Sequence, residues 1–195
     1  MKDKILMILL FFLFMAAVPV GFAVGNAKKP LSSPSEKNSS ESVAASTAAL
    51  CREDDSDEFI RAVAVIERTN LLSGANAEAA ENNSDEELYK RVERICNESE
   101  TVLTLDGKAV YIPCFNCSDG YTEASRDHPY LCAVASPWDA YCADRDSEQR
   151  CEGVSLNGVR VLTQSGLSAE EALLWYLPGL QAQNESRQNK NDASS

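Results

Sequence analysis

Residues 101–117 read TVLTLDGKAVYIPCFNC. Two short runs rich in Val, Leu, Tyr and Ile flank Asp106-Gly107, and the second run leads into Cys114-Phe115-Asn116-Cys117. Asp-Gly suits a two-residue hairpin turn, because both central residues of a type I′ turn need positive φ. A hairpin ending in two cysteines is a disulfide anchor, a redox centre or half of a metal site. Choosing among these is most of the functional question.

Outward from the hairpin, the N-terminus bears on the compartment. Met1-Lys2-Asp3-Lys4 is a short net-positive start, and an apolar run from Ile5 to Val20 follows it. Pro19 and Gly21 break the run, and small residues beyond offer cleavage sites. This order of features is that of a secretory signal peptide over residues 1–27. The rival is an uncleaved anchor, since the run is about long enough to span a bilayer. The expected location is exported, periplasmic or extracellular, with membrane contact only if the segment stays uncleaved.

The chain carries seven cysteines, Cys51, Cys96, Cys114, Cys117, Cys132, Cys142 and Cys151, all beyond that segment. In an exported protein they read as a disulfide framework with one cysteine left over. A formal charge of −12 over 195 residues argues against nucleic acid and anionic headgroups as partners.

The remaining chain reads as one domain with loose ends. Residues 28–50 are Ser- and Ala-rich with no large apolar periodicity, which predicts a disordered linker. Ser56-Asp57-Glu58 caps a helix with Phe59, Val63 and Ile66 on one face, and Ser73-Gly74 ends it. After a polar stretch at 76–83, Ser84-Asp85-Glu86-Glu87 opens a second helix carrying Leu88, Val92 and Ile95. If these two helices are antiparallel, Cys51 and Cys96 come together at their free ends, though spacing does not settle connectivity. After Cys117 comes a long aperiodic segment with Tyr121, Tyr130, Trp138 and Tyr141, which needs staples to be compact. Asn157-Gly158 predicts a second hairpin over 153–163. Ser168-Ala169-Glu170-Glu171 caps a short C-terminal helix ended by Pro178-Gly179, and 179–195 reads as a disordered tail. The expectation is a small α+β domain over 51–178, with two N-terminal helices, two β-hairpins and a short C-terminal helix.

The chemistry is thin. A redox centre at Cys114 and Cys117 needs the first cysteine at a helix N-terminus, but Ser118-Asp119-Gly120 signals a turn. Zinc on Cys114, Cys117, Cys132 and Cys142 lacks a second tight knuckle. His128 is the only histidine, and no Gly-x-Ser-x-Gly elbow or phosphate-cradling loop accompanies it. No metal or cofactor is expected. Tyr130, Trp138 and Tyr141 are candidate binding residues, with supplementary core packing as the other reading.

Gly107-x-x-Val110-x-x-x-Cys114-Phe115, then Tyr130-x-Cys132, Cys142 and Cys151, resembles segments of the cysteine-rich mating-pair stabilisation proteins of conjugative plasmids, the TraN family. The likeness covers about residues 96–151. Phe115 stands where that family usually has Trp, and Cys117 is an added cysteine. The resemblance implies an exported component of a conjugation or type IV secretion system that works through protein contacts in the envelope or on another cell. The expected function is therefore binding and assembly. The alternatives are a thiol–disulfide oxidoreductase using Cys114 and Cys117, and a secreted inhibitor that inserts the aromatic loop in a target.

Overall fold

Residues 59–66, FIRAVAVI, are apolar on nearly every side of a helix, and a helix of that kind has to be covered all round. A computed structural model describes residues 36–75, 85–142 and 151–184, which belong to one unit. The element order is α1 (Glu36–Leu50), α2 (Asp57–Leu72), α3 (Glu86–Glu98), β1 (Thr101–Leu105), β2 (Lys108–Ala109), β3 (Cys114–Phe115), a 3₁₀ turn (Pro137–Tyr141), β4 (Val154–Ser155), α4 (Leu156–Gln164), α5 (Ala169–Tyr176) and β5 (Gln181–Asn184). The expected signal segment, residues 28–35 of the linker, the 76–83 loop and residues 185–195 of the tail lie outside the described residues. No helix among those described is long and apolar enough to cross a membrane.

Helix α2 is the centre. Phe59, Ile60, Ala62, Val63 and Ile66 have no solvent exposure, and α1, α3, α4, α5 and β1 all pack against it. Its start follows the sequence: Ser56 Oγ accepts from Phe59 N at 3.1 Å. Its far end is tied to the neighbours by side chains. Thr69 Oγ1 accepts from Leu103 N at 3.0 Å, and Arg68 Nη2 donates to the Cys96 carbonyl at 2.7 Å. That last bond satisfies one of the carbonyls a helix C-terminus leaves open. Helix α3 is capped by Asp85, which accepts from Glu87 N at 3.0 Å. It buries Leu88, Val92, Ile95 and Cys96.

The Asp106-Gly107 turn forms with φ of 51° and 77°, and β1 and β2 pair across it through Thr104–Ala109 and Leu105–Lys108. The expected second strand of that hairpin is short. Past Ala109 the chain leaves the sheet, and the Asn70 amide takes over, accepting from Ile112 N at 2.7 Å and donating to Ile112 O at 2.9 Å.

Three expectations are overturned. The linker expected at 28–50 is a helix from Glu36 onward. Its buried side is Val43, Ala44, Thr47 and Ala48, a stripe of mostly small residues that a search for large apolar residues overlooks. The tail expected from 179 contributes β5, which pairs antiparallel with β1 from Thr101–Asn184 to Thr104–Gln181. The edge of β1 away from β2 carries backbone groups that need partners, and β5 supplies them. The second hairpin is absent. Val154-Ser155 instead pairs parallel with Cys114-Phe115, and Asn157-Gly158 lies inside α4. Ser155 Oγ caps that helix by accepting from Gly158 N at 3.0 Å. The 3.6-residue spacing of Leu156, Val159, Leu162 and Thr163 won over the turn signal.

A buried ion pair joins the α1–α2 loop to α4. Arg160 bonds both carboxylate oxygens of Asp55, whose side chain is 1% exposed, and its guanidinium lies 4.2 Å above the Phe59 ring. Asp55 also accepts from Arg52 N at 2.8 Å. Removing one partner would strand the other charge in the core, so Asp55→Ala is expected to destabilise the fold by about 3–5 kcal/mol. An Asp55→Leu/Arg160→Met double variant is expected to lie closer to the wild type. Urea denaturation of the three proteins checks both.

Candidate functional site

The segment after Cys117 has too little periodicity to form a helix or strand, so something else must hold it. A disulfide closes it: Cys117 bonds Cys142, 25 residues on, with Cα atoms 6.4 Å apart. Inside that ring the chain doubles back on itself. Thr122 N donates to Val134 O at 2.8 Å, Ser136 N to Gly120 O at 2.8 Å, and Ser125 N to Leu131 O at 2.9 Å. Tyr121 stands opposite Ala135 in an antiparallel bridge. Leu131, 1% exposed, anchors the loop to the main core.

Beneath the loop lies a buried polar network centred on Asp139, itself 1% exposed. Its Oδ2 accepts from Ser118 N at 3.1 Å, Ser118 Oγ at 2.9 Å and Ser136 Oγ at 2.8 Å. Its Oδ1 accepts from Asn157 Nδ2 at 2.8 Å. The direction of the remaining bonds follows from the donor inventory. An indole nitrogen only donates, so Trp138 Nε1 gives its hydrogen to Tyr176 Oη at 2.9 Å. Ser136 has spent its hydrogen on Asp139, so Tyr176 Oη donates to Ser136 Oγ at 2.7 Å. The chain of donors runs Trp138, Tyr176, Ser136, Asp139. It joins the loop to α5, and Asn157 joins it to α4, through groups largely removed from water.

This network explains Gly158. A Cβ there would stand 1.7 Å from Tyr176 Oη and 2.3 Å from Trp138 Nε1. Only glycine lets α4 approach these two rings, which is why a helix interior holds it.

The structure separates the three candidate binding residues. Tyr130 lies at the loop tip, half-buried, donating to Tyr111 O at 2.7 Å. His128 sits between Tyr111 and Tyr130, with ring centroids 5.9 and 5.5 Å away. Trp138 is half-buried, its N–H spent on Tyr176 and its ring 5.7 Å from that of Trp175. Tyr141 is 94% exposed. It ends the same 3₁₀ turn, three residues beyond Trp138.

Three surface aromatics were not among the sequence candidates: Tyr111, 42% exposed beside His128, and two more. Trp175 is 45% exposed and donates to Ala135 O at 2.9 Å, while Tyr121, opposite Ala135, is 59% exposed. Trp175 falls off the buried stripe of α5, formed by Ala169, Ala172, Leu173 and Tyr176, and that misplacement was the available signal. Trp175 thus touches Trp138 and is tied to Ala135, which lies opposite Tyr121; with Tyr141, at the end of the 3₁₀ turn, these residues are termed the aromatic ridge.

The cysteines depart from expectation. In place of a framework of three bridges, the described structure holds one. Cys51, Cys96, Cys114, Cys132 and Cys151 carry thiols and are held by separate elements: Cys51 and Cys96 in the helical core, Cys114 in β3, Cys132 on an exposed loop arm. Cys114 and Cys117 are not bonded to each other, and the Cys114 thiol is pushed up to about 12, by burial first and by the Glu67 charge second. A redox nucleophile needs the opposite shift. Among the described residues, no group of three or more His, Cys, Asp or Glu side chains gathers to hold a metal. No protein-family model matches the chain, and no curated protein matches it.

The raised thiol sets a pH dependence. Cys114 titrates from an ordinary value of 9.0 to about 12 in the folded chain, so above pH 9 the unfolded state loses its proton first. The associated stability is complete below pH 9 and falls as pH rises towards 12, by at most about 4 kcal/mol. Tyr176, likewise pushed up to about 12 by burial, acts in the same sense above pH 10. The melting temperature is expected to fall steadily from pH 8.5 to 11, and less steeply in Cys114→Ala, as calorimetry across that range would read.

Proposed function

We propose that the chain is an exported binding and assembly protein of the cell envelope, and that its aromatic ridge is where it meets a protein partner. One observation carries this reading. Tyr121, Trp175 and Tyr141 are 59%, 45% and 94% exposed, on backbone that a disulfide, a doubled-back loop and a buried network hold in place. Large rings whose ordering cost is already met before binding are the usual anchors of protein interfaces. Trp175, packed on Trp138 and still 45% exposed, leaves apolar surface of the kind that interfaces cover. The partner is an extended segment of another envelope protein, laid along the ridge.

Export is supported by the net-positive start, the apolar run behind it and the small residues after that run. The charge of −12 supports a protein partner over nucleic acid or an anionic membrane. The likeness of residues 96–151 to the mating-pair stabilisation proteins extends the proposal to a conjugation or type IV secretion apparatus.

A benzophenone-bearing side chain in place of Tyr141, introduced in cells of the source, tests the reading. Illumination is expected to give one discrete adduct with an envelope protein. With Tyr121→Ala in the same chain, that adduct is expected to drop at least about tenfold, while stability changes by no more than about 0.5 kcal/mol. Absence of an adduct, or an adduct indifferent to Tyr121, would overturn it.

A further inference from the structure

Helix α1 is an odd member of the core. Its buried side is Val43, Ala44, Ser46, Thr47 and Ala48, small side chains that allow close approach but cover little apolar area. A helix of this length with so slight an apolar face has little to hold it in place by packing alone. Yet α1 packs closely on α3 and α2, and Ser40 Oγ donates to Asn97 Oδ1 across the α1–α3 contact at 2.9 Å.

Two thiols lie at this junction. Cys51 follows directly on α1, its N–H still reaching Ala48 O at 3.4 Å, and is 9% exposed. Cys96 is in the last turn of α3 and is 2% exposed. The chain after Cys51 is laid along α3 by Arg91, which donates to Glu53 O at 3.1 Å and Asp55 O at 2.7 Å. Arg91 precedes Val92, the residue one turn before Cys96 on the buried face of α3. From the other side, Thr47, one turn before Cys51, borders the Cys96 thiol. Thr47 is fully buried, so the Cys96 thiol faces α1 and not solvent.

We propose that Cys51 and Cys96 are an oxidisable pair that closes into a second disulfide, covalently tying α1 to α3. The oxidant is a disulfide, either a protein dithiol oxidase or oxidised glutathione. The thiolate of one cysteine attacks the oxidant's sulfur and displaces one thiolate leaving group. The other cysteine then attacks the mixed disulfide and displaces the second. Two cysteine thiols lose two electrons and two protons, and the oxidant becomes two thiols. The reaction is slow in the closed fold, because the thiolate form is disfavoured there: Cys51 is pushed up to about 12, chiefly by burial. The bridge forms during folding, or when the end of α1 opens. It would give α1 the anchorage that its small residues do not supply, and it does not depend on the aromatic ridge.

The full chain, refolded with and without oxidised glutathione, tests this. After blocking of remaining thiols and proteolysis without reductant, the Cys51 and Cys96 peptides are expected to be joined, alongside the Cys117–Cys142 pair. Reductant is expected to lower the melting temperature of the wild type by several degrees more than that of the Cys51→Ala/Cys96→Ala variant, which retains Cys117–Cys142. Recovery of both cysteines as blocked thiols, either of them joined to a different cysteine, or equal reductant shifts in the two proteins would overturn the proposal.

Discussion

The burial of α2 on all sides is the constraint from which the rest of the structure follows. Phe59, Ile60, Ala62, Val63, Ala64, Val65 and Ile66 are all buried and leave only Arg61 partly open to water, so one stretch of eight residues requires cover from nearly every direction. α1 and α3 supply it on one flank, β1 on another, and α4 and α5 close the remainder. Each cover then creates a demand of its own. β1, laid against α2, has an edge beyond β2, and β5 takes it. α4 brings Arg160 over Phe59, and the Asp55 carboxylate meets that charge where water cannot. The order of dependence runs outward from α2 rather than along the chain.

The loop from Cys117 to Cys142 is organised on a different principle. It buries little and has almost no regular structure, so its shape comes from a covalent closure and a directed set of hydrogen bonds. Trp138, Tyr176, Ser136 and Asp139 form a sequence in which each donor is used once. Removing a member would leave a buried polar group unmatched, at a cost of about 1–3 kcal/mol. Tyr176 belongs to α5, so the loop's geometry is set by the same helix that covers α2. The backbone that carries Tyr121, Trp175 and Tyr141 is held by those bonds, and this makes the ridge a stronger candidate for recognition than loose loop aromatics would be.

What the sequence revealed and what it hid divide along physical lines. Caps and special turns were legible because they are local: Ser56 on α2, Ser168 with Glu171 on α5, and Asp106-Gly107 between β1 and β2. Helix α1 was not, because its stripe is made of Ala, Ser and Thr. Asn157-Gly158 misled because two demands call for the same residue. A hairpin wants glycine for its φ, whereas α4 wants it for space against Tyr176 and Trp138. β5 answers a need of β1 some eighty residues earlier, which local pattern does not display. Within the site, the sequence left Tyr141 open between surface and core, and only the fold shows it exposed. The partnership of Trp138 with Trp175 depends on folding two distant segments together.

The functional account stands on one claim, that the aromatic ridge is held rigid before any partner arrives. Amide hydrogen exchange on the free full chain addresses it directly. Thr122, Val134 and Ser136, whose amides are bonded within the loop, are predicted to exchange within roughly tenfold of the amides of α4. Gly158→Ala, which drives a methyl into Tyr176 and Trp138, is predicted to release that protection. Exchange of the three loop amides at the rate of an unstructured peptide would contradict the account.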